Sequence, residues 1–204
     1  MRASIRRLLA AALLALIALS GAASLPADET PSPAAAGAKK FREPDSVYVG
    51  TPHDLVMKMM DLAELRPSDL VYDLGCGDGR IVVMAAKFYG CRGVGYEIDP
   101  QMVERALVNV KKHAVQALVK IEQEDVFKVD LRPADCLLLY LLPSMNKKLV
   151  PQIEQMRPGS RIVANDYGIE GYRADRTLNV VSQEDNSRHT LYLYRLPLKP
   201  ESPP

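Results

Sequence analysis

A short apolar strand that runs straight into glycines at alternate positions constrains this chain more than any other feature. Leu70-Val71-Tyr72-Asp73-Leu74 leads into Gly75-Cys76-Gly77-Asp78-Gly79, and residues 80–88 then have the character of a helix, ended by Gly90. Glycines there let the backbone turn sharply and let a ligand approach the main chain with no Cβ in the way. Strand, glycine turn and helix together form the opening unit of an open α/β sheet, whose ligands sit at the carboxyl ends of the strands.

The remaining sequence repeats the alternation. Residues 93–98 form a second strand, 100–117 a second amphipathic helix and 119–122 a short third strand. Residues 134–142 are apolar without interruption, which suits a strand buried on both faces. A helix follows to Met156, then the turn Arg157-Pro158-Gly159 and a strand over 161–166. Ahead of the glycine turn, residues 51–65 place Leu55, Met59 and Leu62 at helical spacing, with Thr51 as N-cap and Pro52 at the first helical position. Residues 177–181 and 190–196 alternate as an antiparallel hairpin would. The pattern predicts an α/β fold: a mostly parallel sheet, right-handed crossovers, helices on both faces and an antiparallel hairpin at the end.

At 204 residues and 48% apolar, the chain is the size of one ordinary domain. Residues 1–25 lie outside that domain. Arg2, Arg6 and Arg7 precede an apolar run over 8–19 and then Ser20-Gly21-Ala22-Ala23, the order of a signal peptide. The run is shorter than the ~20 apolar residues that span a bilayer comfortably, which favours a cleaved signal over an N-terminal anchor. Either makes the protein exported or membrane-associated: periplasmic in a bacterium if cleaved, facing the cytosol on an anchor with membrane contact if not; a purely cytosolic start is the remaining reading. Residues 26–42 read as a disordered linker, 43–197 as the folded domain and 198–204 as a disordered tail. A net charge of +1 gives no basic field, so no nucleic-acid partner is expected. Cys76, Cys91 and Cys136 have no metal spacing and read as reduced and buried; His53, His113 and His189 show no ligand spacing, and no metal is expected.

The loop's ligand follows from its charge. A dinucleotide loop reads G-x-G-x-x-G, but counting from Gly75 the sixth residue is Arg80, where close helix packing needs a small side chain. A pyrophosphate disfavours nearby carboxylates; S-adenosylmethionine carries a sulfonium and an ammonium and no phosphate, and so suits Asp73 and Asp78. Gly75, Cys76, Gly77 and Gly79 supply the backbone of this cofactor site. Glu97 ends the next strand at the distance where this fold type places the acid that accepts ribose hydroxyls, with Ile98 beside it. Asp99 is the rival acid, but before Pro100 it reads as a helix cap. Asp125 is placed to accept the adenine amine, with Val126 or Phe127 flanking the ring; the alternative is an ordinary loop acid.

Val71 to Arg80 and Val94-Gly95-Tyr96-Glu97-Ile98-Asp99-Pro100 resemble class I, seven-strand, Rossmann-like S-adenosylmethionine-dependent methyltransferases. Tyr48-Val49-Gly50-Thr51-Pro52, Leu141-Leu142-Pro143-Ser144-Met145 and Arg157-Pro158-Gly159-Ser160-Arg161 are similar to bacterial relatives of the mitochondrial lysine methyltransferases that act on adenine nucleotide translocase and the ATP synthase c-subunit. The resemblance implies a seven-stranded sheet and a catalytic mouth formed by Tyr48, Pro143 and Ser144. It also implies that Tyr48 and Thr51 border the methionyl end of the cofactor. The chain departs from that subgroup after the fifth strand, where Asn165-Asp166-Tyr167 stands and no Trp occurs. It also lacks Asn-Pro-Pro-Tyr after the fourth strand, which argues against methylation of amides or nucleobase amines of that type.

The implied activity is methyl transfer from S-adenosylmethionine, with a protein lysine as the candidate acceptor. Displacement at a sulfonium asks the enzyme for alignment and exclusion of water. A lysine must react as the neutral amine although its ordinary pKa is about 10.4, so an apolar or aromatic channel would help. Tyr48, Tyr140, Tyr167 and Tyr172 are candidates to line it, Tyr140 also bordering the cofactor; each has a bland reading as core. The rival readings are an inactive S-adenosylmethionine-binding module, a small-molecule methyltransferase and a nicotinamide oxidoreductase.

Overall fold

The computed structural model describes residues 41–201. The signal or anchor segment, all but the last two residues of the linker, and residues 202–204 lie outside the described residues.

Nine strands and four α-helices occur among the described residues. Helix α1 (His53–Ala63) precedes β1 (Leu70–Leu74), α2 (Arg80–Tyr89), β2 (Arg92–Glu97), α3 (Pro100–Lys112) and β3 (Val119–Gln123). After a 3-10 turn at Val126–Lys128 come β4 (Cys136–Leu139), α4 (Pro143–Ile153), β5 (Arg161–Asn165), β6 (Tyr172–Arg173), β7 (Arg176–Val181), β8 (Arg188–Arg195) and β9 (Lys199–Pro200). The main sheet has seven strands in the order β3-β2-β1-β4-β5-β8-β7. The first five are parallel; β8 runs antiparallel to β5 and to β7. The hairpin therefore joins the sheet through its second strand, and β7 forms the edge.

Alternate residues of the central strands feed two cores, as a sheet covered on both faces requires. Tyr72, Leu74, Leu137, Leu139, Ile162 and Ala164 pack with Leu149 and Ile153 of α4. Val71, Cys136, Leu138 and Val163 pack with Leu55 and Met59 of α1 and with Ile81 and Ala85 of α2. Asp73 lies between Tyr72 and Leu74, so its carboxylate is directed to the α1 and α2 face. Cys76, Cys91 and Cys136 are all buried and free.

Three boundaries differ from expectation for identifiable reasons. The apolar run 134–142 yields only Cys136–Leu139 as strand, because Leu139 pairs with Leu74 and beyond that residue β1 has turned away into glycine, leaving no ladder to extend. Helix α1 starts one residue later than the proline rule suggests: Pro52 is the N-cap and Thr51 makes no capping bond. At the C-terminus, where a tail was expected, Leu198 is buried and Lys199–Pro200 pair with Tyr172–Arg173.

Candidate active site

At the end of β1 the chain makes three left-handed turns in five residues, with φ of 73° at Gly75, 53° at Gly77 and 73° at Gly79. The amides of Gly75 and Cys76 both donate to the Tyr96 carbonyl, at 2.8 and 3.0 Å, which ties the loop to β2. Asp73, just inside it, is 2% exposed, and its Oδ2 has no hydrogen-bond partner. Burial, followed by the charges of Glu97 and Asp78, pushes its pKa well above the ordinary carboxylate value. An unpartnered carboxylate in a buried acidic setting is costly unless a cation arrives to pair with it. That observation fits the cationic end of S-adenosylmethionine. Cys76 contributes backbone only: its Sγ is turned against Gly95, and burial raises its thiol pKa.

Glu97 is buried and its carboxylate is already engaged. Oε2 accepts from the Gly77 amide at 2.8 Å, and Oε1 accepts from the amides of Ile98 and Asp99 at 2.8 and 3.0 Å. Three of a carboxylate's roughly four acceptor positions are thus taken, leaving room for one ribose hydroxyl rather than two. Asp99 caps α3 through the Gln101 amide, as its place before Pro100 suggests. Asp125 caps the 3-10 turn by accepting from the Phe127 amide, and its two oxygens accept from Arg42 Nε and Nη2 at 2.9 and 3.2 Å. Arg42 holds the Asp125 carboxyl below the ordinary range. The guanidinium also stands over the Phe127 ring, 5.1 Å from its centre.

Arg42 begins a strap, residues 42–49, that crosses the cofactor site. One cavity is shared by strap residues from Arg42 to Val49 with Gly75, Glu97, Ile98, Val126 and Tyr140. Asp99, Met102, Leu141 and Met145 complete its wall. The strap is fastened at its far end by Arg80. That side chain pairs with Asp78, Nη2 to Oδ2 at 2.8 Å and Nε to Oδ1 at 2.9 Å, and donates through Nη1 to the Thr51 carbonyl at 2.8 Å. Its guanidinium fills the space where Gly50 has no side chain. Burial raises the Asp78 pKa, but the Arg80 partner outweighs it and the net shift is downward. Asp78 is therefore a carboxylate already partnered inside the protein, whereas Asp73 is not. The Tyr48 ring rests on Gly77, and burial together with the Asp78 charge pushes its hydroxyl up to about 12.

Thr51, Asp73, Gly75, Cys76, Asp78, Tyr48 and Tyr140 share a second, smaller cavity next to the first. On the acceptor side, Pro143 and Ser144 are exposed at the start of α4 and line neither cavity; Leu141 and Met145 of the same segment do. Tyr172 is also withdrawn, because its hydroxyl donates to Glu154 Oε1 at 2.9 Å at the far end of α4. Tyr140 stays, half-buried, its pKa raised by burial and then by the charge of Asp166. Sequence reasoning missed Arg42, Met102 and the clamp made by Arg80. Only Arg80 was visible, and only as a residue too large for a nucleotide loop. A wider groove of about 990 Å³ runs between α2 and α3 and shares Tyr48, Asp78 and Arg80 with the site, but none of the loop glycines.

The sheet order, the acid at the end of β2 and the glycine loop with its unpartnered Asp73 define a class I S-adenosylmethionine-dependent methyltransferase. Residues 73–176 match the ANTKMT methyltransferase domain family. The chain is 37% identical over 153 residues to a protein-lysine N-methyltransferase of Saccharolobus islandicus, covering 74% of this chain and 94% of that one. It is 34% identical over 122 residues to the mouse adenine nucleotide translocase lysine N-methyltransferase, of which it spans 52%. Among solved structures, a Salinibacter ruber RNA methyltransferase in complex with S-adenosyl-L-homocysteine is 42% identical, with a TM-score of 0.67 over 76% of this chain and 97% of that one. The chain belongs to the ANTKMT methyltransferase family and uses S-adenosylmethionine as methyl donor.

Proposed function

We propose that the methyl acceptor is the side-chain amine of a protein lysine. One observation carries the reading from the site itself: the acceptor side of the cavity has tyrosine walls, Tyr48 and Tyr140, with Tyr167 beside them. Half-buried aromatic walls suit a long alkyl amine that must react uncharged, because desolvation disfavours the ammonium form. The Saccharolobus relative, whose length the chain nearly spans, carries the lysine name. The Salinibacter relative carries an RNA name; the near-neutral charge of this chain favours the protein acceptor.

The chain's own residues align and shield. Asp73 would hold the cationic end of the cofactor, Glu97 a ribose hydroxyl, and Asp125 with Val126 the adenine, while the strap excludes water. When bound, S-adenosylmethionine supplies a methyl group on a sulfonium. Tyr48 and Tyr140 line the approach of the acceptor nitrogen.

The test is transfer of tritiated methyl from S-adenosylmethionine into cell extract, followed by acid hydrolysis of the protein and separate counting of RNA. Label recovered as methyl-lysine, lost with Asp73→Ala and Glu97→Ala, is the expected result. Label in RNA, or in small molecules alone, would overturn the lysine reading.

For location, the use of S-adenosylmethionine supports the anchor over the cleaved signal, since the cofactor is made in the cytosol. On this reading residues 8–19 hold the protein at the membrane with the domain on the cytosolic side. Fractionation that finds the chain shortened and soluble outside the cytosolic membrane would reverse it.

A further inference from the structure

A hydrogen-bonded chain of side chains on the acceptor side, with His189 buried in its middle, is not used by the cofactor. Asp166 directly follows β5, as Tyr140 directly follows β4, the neighbouring strand. Its Oδ1 accepts from the Thr190 amide at 3.0 Å and its Oδ2 lies 2.8 Å from His189 Nδ1. His189 Nε2 lies 2.7 Å from Ser187 Oγ, which donates to Asp185 Oδ1. The histidine side chain is 8% exposed, whereas Asp166 is 23% exposed and keeps acceptor positions free.

Asp166 also has an uncommon backbone. Its φ is 59°, and the Tyr167 amide donates across it to the Asn165 carbonyl at 2.7 Å, closing a three-residue turn of the rare, strained hand. Strain of this kind persists where the surroundings over-determine it, and it clusters at functional sites. Asp166 also extends the β5–β8 pairing one step beyond Asn165 and Leu191, its amide donating to the Thr190 carbonyl at 2.8 Å. That pairing uses Oδ1 and leaves the direction of Oδ2 to His189. The turn brings the Asp166 carboxylate beside the Tyr140 hydroxyl, whose pKa it helps to raise.

We infer that Asp166, oriented by His189, is the carboxylate that receives the positively charged amine of the acceptor at the mouth walled by Tyr140 and Tyr167, where the amine gives its proton to solvent before its lone pair takes the methyl group. The inference rests on the lysine reading and names the residue that would select a cationic amine over a neutral acceptor. Asp166 touches the substrate; His189 is a positioning residue, fixing which way the carboxylate faces. A carboxylate held by Thr190 and His189 on one side, with the Tyr140 hydroxyl and solvent on the other, meets an ammonium with little loss of freedom.

The test uses the full chain, tritiated S-adenosylmethionine and poly-L-lysine as acceptor, with hydrolysis to confirm methyl-lysine. Asp166→Asn keeps the shape and tolerates a positive φ but removes the charge. It should raise the KM for poly-L-lysine by at least about tenfold, the loss of one charge-assisted contact, and leave cofactor affinity within about twofold. His189→Gln should raise the same KM by a smaller factor, leave kcat at saturating acceptor close to wild type, and add nothing in the Asp166→Asn background. An unchanged acceptor KM in Asp166→Asn with cofactor binding intact would overturn the assignment. If Asp166→Asn fails to bind cofactor, His189→Gln decides: a raised acceptor KM with normal cofactor affinity upholds the inference, and an unchanged KM ends it. Wild-type protein that binds S-adenosylmethionine but forms no methyl-lysine on poly-L-lysine or on extract protein would instead refute the lysine reading on which this rests.

Discussion

The Gly77 amide donates to Glu97 Oε2 at 2.8 Å, which makes the glycine loop and the acid at the end of β2 a single hydrogen-bonded unit. Ile98 and Asp99 add two more amides to the other oxygen. Glu97→Gln conserves shape but turns one acceptor into a donor, so at least one of the three amides loses its partner inside the protein. The expected cost is about 1–3 kcal/mol of unfolding free energy, with weakened cofactor binding alongside it. Urea denaturation and calorimetry would measure the two; unchanged stability would show that water satisfies the amides as well as Glu97 does.

Asp73 gives a pH dependence of known sign. Its folded pKa is raised far above the ordinary value of 3.8, so between those two values the folded state binds more protons than the unfolded state. Stability of the cofactor-free protein therefore falls as pH rises through that window, and the cost persists in full above it. Asp73→Asn should flatten this dependence and raise the cofactor-free stability at neutral pH. Cofactor affinity should move the other way. In the wild type it should tighten as rising pH ionises the carboxyl, while in Asp73→Asn it should be weaker by about ten- to a hundredfold and lose that pH dependence. Calorimetric titration across pH checks both; a wild-type affinity that falls with pH would contradict the role of Asp73 as partner to a cation.

The parts of the site legible in the sequence are those fixed by local backbone chemistry. Gly75, Gly77 and Gly79 signal left-handed turns by their identity, and Asp99 before Pro100 signals a cap. The two-sided burial of 134–142 was visible in its lack of polar residues, but where its ladder stops depended on a neighbouring strand turning away at Gly75. Partners distant in sequence were not legible. Arg42 meets Asp125 across 83 positions, and nothing in a stretch of prolines and alanines marks its last residues as part of a fold. Asp166 and His189 are 23 residues apart, and their meeting depends on β8 entering the sheet beside β5, which hairpin periodicity alone does not specify. The position of Ser144 was not legible for a different reason: the segment Leu141 to Met145 does reach the site, with Leu141 and Met145 lining the cavity and Pro143 and Ser144 exposed at the start of α4.

Tyr48 and Gly77 provide a paired test of the strap. A Cβ built on Gly77 would lie 2.1 Å from Tyr48 Cε2, and the residue has a φ of 53°. Gly77→Ala should displace the Tyr48 ring, loosen the strap and weaken cofactor binding by at least about tenfold, through both the clash and the left-handed backbone. Adding Tyr48→Ala removes the clash but not the backbone cost, so cofactor affinity should recover in part. Calorimetry on the two single variants and the double variant reads the coupling directly. Strict additivity would mean that Tyr48 does not rest on the loop.

Arg161, within the motif Arg157-Pro158-Gly159-Ser160-Arg161, serves the fold at the opposite end of the sheet. Its Nη2 pairs with Asp69 Oδ1 at 2.7 Å, its Nη1 donates to the carbonyls of Ala63 and Glu64 at the end of α1, and both partners' side chains are 9% exposed. Asp69 Oδ2 in turn accepts from the Arg66 amide at 2.7 Å, so the pair joins α1, the start of β1 and β5. Removing one member of a buried pair strands the other, which costs about 3–5 kcal/mol, more than the pair itself contributes. Asp69→Ala should therefore destabilise the domain by that amount, while Asp69→Ala with Arg161→Met, which leaves no buried charge, should recover a large part of it. Because this end of the sheet lies away from the glycine loop, folded Asp69→Ala protein should bind S-adenosylmethionine as the wild type does. Denaturation of the two variants, with cofactor titration below the unfolding transition, separates this structural role from a catalytic one: weakened binding in fully folded Asp69→Ala would tie the pair to the active site after all.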